Sequence, residues 1–97
     1  MILRTVRVDL SVDAELDDAR SEWPRVDDAW SMIEWVLSRD ATVGEPQTES
    51  GHSRSFVFQG SIAHEMPDIQ VLYVFDEHIV DIKSIVIRTP KQSAGNA

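Results

Sequence analysis

The 97-residue chain contains no cysteine, and it has only four glycines, four prolines and one tyrosine. Without cysteine, the chain has no disulfide framework, no thiolate ligand for a metal and no cysteine nucleophile. No run of residues approaches the about 18 apolar residues of a membrane span. The N-terminal stretch "MILRTVRVDLSVD" also lacks the apolar segment of a signal peptide. We therefore expect a cytoplasmic globular protein.

Basic residues are also scarce, since nine bases face 17 acids and the net charge is −8. Residues 9–40 carry ten of the acids and three of the bases, so one half of the chain is strongly acidic. This balance opposes binding to a phosphate backbone, and direct nucleic-acid binding is not expected. An acidic surface is either simply solvated, attracts a basic partner or mimics nucleic acid.

The apolar periodicity predicts an α+β domain. "ILRTVRVDL" alternates as a strand does, a short acidic helix follows, and Pro24 begins a second helix that runs to about Ser38. "RSFVFQGSI" and the hairpin "DIQVLYVFDEHIVDIKSIVIR" supply three more strands. The predicted order is β-α-α-β-β-β, with a helical hairpin packed on one face of an antiparallel sheet. We expect a single domain over residues 1–90, a disordered tail over 91–97, and an open second sheet face.

Trp35 stands apart from the predicted core side of the second helix. At about 100° per residue it falls nearly opposite the apolar stripe, so we expect it to be exposed or covered by something else, either a neighbouring element of the fold or a partner. Exposed tryptophans are frequent anchors at binding surfaces. The residues of the predicted core stripe are Val26, Ala29, Trp30, Met32, Ile33, Val36 and Leu37.

Four residues are candidates for catalysis. Tyr73 is either a proton donor, a platform for base stacking, or a core residue whose hydroxyl reaches the rim. Arg54, Lys83 and Arg88 either converge into a small basic site on the sheet or are scattered solvated charges. None of the three histidines lies at the spacing that places two ligands on one metal, and the chain has no glycine-rich phosphate loop. Neither a metal site nor a cofactor is predicted.

The element order, the loop containing "GEP" and above all "DIQVLYVFDEHIVDIKSIVIR" resemble the RelE/ParE-type toxins of bacterial type II toxin–antitoxin systems. In that family the third strand has an Arg-x-x-Tyr pattern, an acidic tip follows, and the fourth strand is β-branched and ends in a basic residue. The resemblance implies a cognate antitoxin-like small protein as partner. It also implies a target such as a topoisomerase or the ribosome.

Carried over residue by residue, the resemblance favours the fold over the nuclease activity. Tyr73 matches the family's hairpin tyrosine, and Arg88 lies near the basic residue that helps to stabilise the phosphate in the RNA-cleaving members. However, Gln70 stands where the strand arginine is expected, and an amide brings no charge to a phosphate. The tail "TPKQSAGNA" contains no tyrosine or histidine for acid–base chemistry. The net charge also departs from that of the strongly basic ribosome-dependent nucleases.

Three hypotheses follow. The first is a toxin-like protein that acts by protein contact, through the sheet face and a surface formed by Trp35, Tyr73, Ile85 and Ile87. The second is a ribosome-dependent mRNA endonuclease that uses the four candidate catalytic residues named above. The third is a small α+β interaction module that is unrelated to toxins.

Overall fold

The computed structural model describes residues 3–90, so the tail predicted over 91–97 lies outside the described residues. The predicted α+β class and the order of the main elements are confirmed. The elements are β1 (Thr5–Val8), α1 (Leu10–Ala19), α2 (Val26–Arg39), β2 (Glu45–Pro46), β3 (Ser53–Phe58), a short 3-10 turn (Ile62–His64), β4 (Asp68–Phe75) and β5 (Ile79–Arg88). The two-residue strand β2 lies within the long polar connection after α2.

The five strands form one sheet in the order β1-β5-β4-β3-β2. The pairs β2–β3, β3–β4 and β4–β5 are antiparallel, whereas β1 runs parallel to β5 at one edge. The sheet is therefore mixed, which corrects the prediction of a purely antiparallel one. β1 adds to the free edge of the β4–β5 hairpin, where the Thr5 N–H donates to the His78 carbonyl over 2.9 Å.

A β-bulge in β5 changes which side chains face the helices. Ile82 pairs with Tyr73 and Ser84 pairs with Leu72, which leaves Lys83 without a partner on β4. The extra residue shifts the alternation of side chains by one position. The apolar residues on both sides of the bulge therefore share the helix-covered face, namely Val80, Ile82, Ile85 and Ile87.

The core lies between this face and the two helices. The buried apolar side chains are Val12, Leu16, Val26, Ala29, Trp30, Ile33, Leu37, Ala41, Met66, Ile69, Val71, Tyr73, Val80, Ile82 and Ile85. The prediction that Trp35 points away from the core is confirmed, since its side chain is 59% exposed. The prediction that Met32 belongs to the core stripe is wrong, because its side chain is 50% exposed. Val36, predicted in the same stripe, is only partly buried.

Ion pairs hold the turn between the helices. Arg20 follows the last residue of α1, and its guanidinium contacts Asp27 in the first turn of α2 over 2.9 Å and also contacts Asp17. Asp27 thereby joins the two helices and lies where the positive end of the α2 dipole favours a carboxylate. The neighbouring guanidinium lowers the pKa of Asp27. Buried residues of both helices pack against the same face of the sheet, so the helices lie on one side of it and leave its other side open.

Candidate protein-binding surfaces

The uncovered side of the sheet carries a group of exposed aliphatic side chains. Val57, Leu72, Val74 and Val86 are between 39% and 54% exposed, and they alternate with the buried residues of β3, β4 and β5. We refer to these four side chains and the polar residues between them as the open sheet face. An uncovered group of aliphatic side chains on a small domain is typical of a surface that contacts another molecule.

Small polar side chains separate the aliphatic ones. Ser55, Leu72 and Ser84 lie side by side across three strands, and Gln70 lies beside Val86. The Gln70 amide donates a hydrogen bond to the Ser55 hydroxyl over 3.1 Å. Together with Gln47, these side chains line a shallow depression of about 210 Å³. The centre of the open sheet face is thus neutral, with both apolar area and hydrogen-bonding groups.

Charged side chains on β1 and β5 border the aliphatic group of the open sheet face. Arg7 on β1 pairs with Asp81 on β5 over 3.1 Å. Lys83 is exposed at the bulge, and Arg88 is exposed at the end of β5, where it lies opposite Asp68. Asp81 lies beside Val74, and Lys83 adjoins Ser84 opposite Leu72, so charges of both signs border the aliphatic group along β5.

Arg54 and Tyr73, two of the predicted catalytic residues, instead hold the connection after α2. The Arg54 guanidinium donates to the carbonyls of Gly51, Thr42 and Gly44 over 2.7, 3.0 and 2.9 Å. The Tyr73 hydroxyl donates to the Ala41 carbonyl over 2.6 Å and accepts from the Gly44 N–H over 3.1 Å. Burial raises the pKa of Tyr73, which keeps the hydroxyl protonated.

The four predicted catalytic residues do not meet in one place. Tyr73 is fully buried on the helix-covered side, whereas Arg88 is exposed at the far end of β5. Arg88 pairs with Asp68, which lies five residues before Tyr73, or roughly 17 Å away along the strand. Lys83 is exposed at the bulge, and the hydrogen bonds of Arg54 go to backbone carbonyls. Catalysis by these residues remains a prediction.

The residues predicted to contact a partner all lie on the helix side of the sheet, and they differ in exposure. Tyr73 is 0% exposed and Ile85 only 6% exposed, so burial in the core corrects their assignment to a binding surface. Ile87 is partly buried against the core. Of the four, Trp35 is the one with a largely exposed side chain.

Trp35 belongs to a second apolar surface, on the helix side of the domain. A groove of about 440 Å³ lies between α2 and β3 and is lined by Ser31, Met32, Trp35, Val36, Phe56 and Phe58. The Arg39 guanidinium lies 4.1 Å above the Trp35 ring, and it donates to the Trp35 carbonyl over 3.2 Å. The guanidinium thus covers one face of the exposed indole with a cation–π contact.

Within residues 3–90, no group of three or more His, Cys, Asp or Glu side chains is placed to hold a metal ion. In the same part of the chain, none of the helices combines the length and the apolar character that crossing a membrane requires. No known protein family, curated protein or solved structure matches this chain.

The sequence analysis predicted neither the bulge in β5 nor the hydrogen bonds of Arg54. The bulge can nevertheless be recognised from the spacing of apolar residues. In "IVDIKSIVIR" the buried residues Ile82 and Ile85 are three apart, and a regular strand places residues of one face an even number apart. The bonds of Arg54 leave no such trace, because backbone carbonyls accept from any donor that reaches them.

Proposed function

We propose that this protein acts by protein–protein contact, as the toxin-like member of a toxin–antitoxin pair, and that its partner binds the open sheet face. The observation that carries the proposal is the group of four exposed aliphatic side chains on an uncovered sheet. A sheet with one apolar face buried and one solvated normally alternates apolar and polar residues. On β4 this alternation fails at Leu72 and Val74, which are aliphatic on the solvent side.

The composition of the open sheet face suits a protein better than a nucleic acid. Its centre at Leu72 and Val86 is aliphatic. The neighbouring serine and glutamine side chains can both donate and accept hydrogen bonds. Burying aliphatic surface is worth about 25 cal/mol per Å². A phosphate backbone gains nothing from such a centre, since it is bound chiefly by basic side chains.

The charge of the protein favours a basic partner. The net charge of −8 attracts cationic proteins and accelerates their encounter with the surface. We therefore expect a partner of basic net charge that presents apolar side chains to the open sheet face. An antitoxin-like small protein with a basic segment fits this description.

The test is expression of the protein alone and together with the product of the gene beside its own, with growth and total RNA followed in parallel. We expect growth arrest with intact RNA when the protein is expressed alone, and relief with a stable complex when both are expressed. Loss of RNA that depends on Arg88 would instead favour the nuclease hypothesis. Harmless expression without a complex would overturn the proposal.

A variant pair locates the surface. Leu72→Lys places a charge in the middle of the open sheet face, and Val43→Lys places the same charge on a loop where the side chain is 46% exposed. We expect the first variant to abolish the complex and the second to preserve it. Equal binding by both variants would exclude the open sheet face as the site.

A further inference from the structure

The exposed side of α2 carries a row of four side chains whose spacing is the same when it is followed from either end of the helix. Asp28, Met32, Trp35 and Arg39 are separated by four, three and four residues, and at 100° per residue they lie within about 60° of one another around the helix. This is the spacing of a coiled-coil seam. The seam is apolar in the middle, where Met32 and Trp35 are 50% and 59% exposed, and oppositely charged at its ends.

Two copies of this seam are complementary when the helices run antiparallel. With a two-fold axis between positions 33 and 34, Met32 of each copy lies against Trp35 of the other, and Asp28 lies against Arg39. Ser31 then lies beside Val36, which pairs a small side chain with a branched one. A sulfur–aromatic contact and a carboxylate–guanidinium pair each occur twice by symmetry.

We propose that the protein forms a two-fold symmetric dimer in which the α2 helices of two copies pack antiparallel along this seam. Charge complementarity and the reversal symmetry single out a second copy as the occupant, since a different partner has no reason to match the pattern in reverse. Phe56 and Phe58 border the groove beside the seam and enlarge the apolar area that the second copy covers.

The existing contacts of the seam residues permit this arrangement. Asp28 pairs with Arg25 over 2.9 Å, and both side chains are exposed, so exchanging that pair for one with Arg39 of the second copy costs little. Arg39 already lies over the Trp35 ring, and a stacked guanidinium keeps its edge free for a carboxylate. The seam lies on the helix side of the sheet, so the dimer leaves the open sheet face free.

The contact is small and each copy carries a net charge of −8, so we expect a weak dimer with a Kd of about 10–100 micromolar. Sedimentation velocity on the full chain, without any partner, measures this directly over a concentration series. Trp35→Ala removes the largest side chain of the seam and should leave a monomer throughout. Leu72→Lys, on the other side of the sheet, should dimerise as the unchanged protein does.

Charge reversal tests the antiparallel orientation. Asp28→Arg alone and Arg39→Asp alone each place like charges together at both ends of the seam, and each should weaken self-association about tenfold or more. An equimolar mixture of the two variants restores opposite charges in the heterodimer and should associate within about threefold of the unchanged protein.

The mixture distinguishes a lost contact from a lost fold. Mixing does not change either chain, so two misfolded variants would not regain association when combined. A monomer at all concentrations, or a mixture that associates no better than its components, would overturn the dimer. Neither result bears on the proposed function, since partner binding is measured at the open sheet face with Leu72→Lys.

Discussion

Replacing Tyr73 by phenylalanine removes one oxygen atom from the core and tests whether this tyrosine is structural. The hydroxyl satisfies two buried backbone groups, the carbonyl of Ala41 and the N–H of Gly44. Phenylalanine fills nearly the same volume but leaves both groups without that partner. Each buried polar group without a partner costs about 1–3 kcal/mol, so we expect a loss of about 2–4 kcal/mol in the free energy of unfolding.

Urea denaturation followed by tryptophan fluorescence measures this loss. With a urea dependence of about 1–1.5 kcal/mol per molar for a domain of this size, the midpoint should fall by about 2 M. Thr48→Val is the matched control, since it removes a hydroxyl of the same connection that bonds the exposed Ser50 hydroxyl, and it should change stability by less than about 0.5 kcal/mol. Equal midpoints for Tyr73→Phe and the unchanged protein would refute the structural role and reopen a chemical one.

Three further substitutions test individual contacts. Gly60→Ala should destabilise the fold by about 3 kcal/mol or more in thermal unfolding, because a Cβ there would clash with the carbonyl oxygens of Met66 and Pro67. Arg54→Lys should speed amide exchange over residues 42–51, because one ammonium group does not reproduce the fork that bonds three carbonyls. Glu34→Gln should raise the stability at pH 7, with no gain in acid.

The sign of the last effect follows from burial, which raises the pKa of Glu34, while the indole N–H of Trp30 acts in the opposite direction. A carboxyl whose pKa is raised by folding is most easily accommodated when protonated, so its cost appears as pH rises through that pKa. Urea titrations at a series of pH values check this. An advantage of Glu34→Gln that persists in acid would contradict this explanation. An unchanged melting temperature for Gly60→Ala would contradict the predicted clash, and unchanged amide exchange for Arg54→Lys would contradict the role of the three hydrogen bonds.

The periodicity of the sequence predicts most of the fold, because alternation and helical spacing report directly which side chains meet the core. It predicts the two helices, the hairpin and the exposure of Trp35. It does not predict the parallel pair of β1 and β5, because periodicity says nothing about which strands become neighbours. That depends on how the chain passes from β1 through the two helices to the later strands. The prediction of a core position for Met32 was wrong, because a groove remains between α2 and β3. The helical spacing of one sequence segment does not show such a groove.

The candidate surfaces were harder to predict than the fold. Tyr73 and Arg54 have the chemistry of catalytic groups, and only the hydrogen bonds to the Ala41 and Gly44 backbone show that they hold a loop. Ile85 seemed available to a partner because a strict alternation was applied across Lys83, where the bulge shifts it. The open side of the sheet was anticipated from the fold class, because two helices cover one side only.

The most direct measurement is calorimetric titration of the neighbouring gene's product into the protein and its two lysine variants. We expect saturable binding to the unchanged protein and to Val43→Lys, and a loss of at least about a hundredfold in affinity for Leu72→Lys, because a lysine at the centre of the interface is desolvated without a partner. Undiminished binding to Leu72→Lys, or no binding to the unchanged protein, would contradict a protein-binding role for the open sheet face.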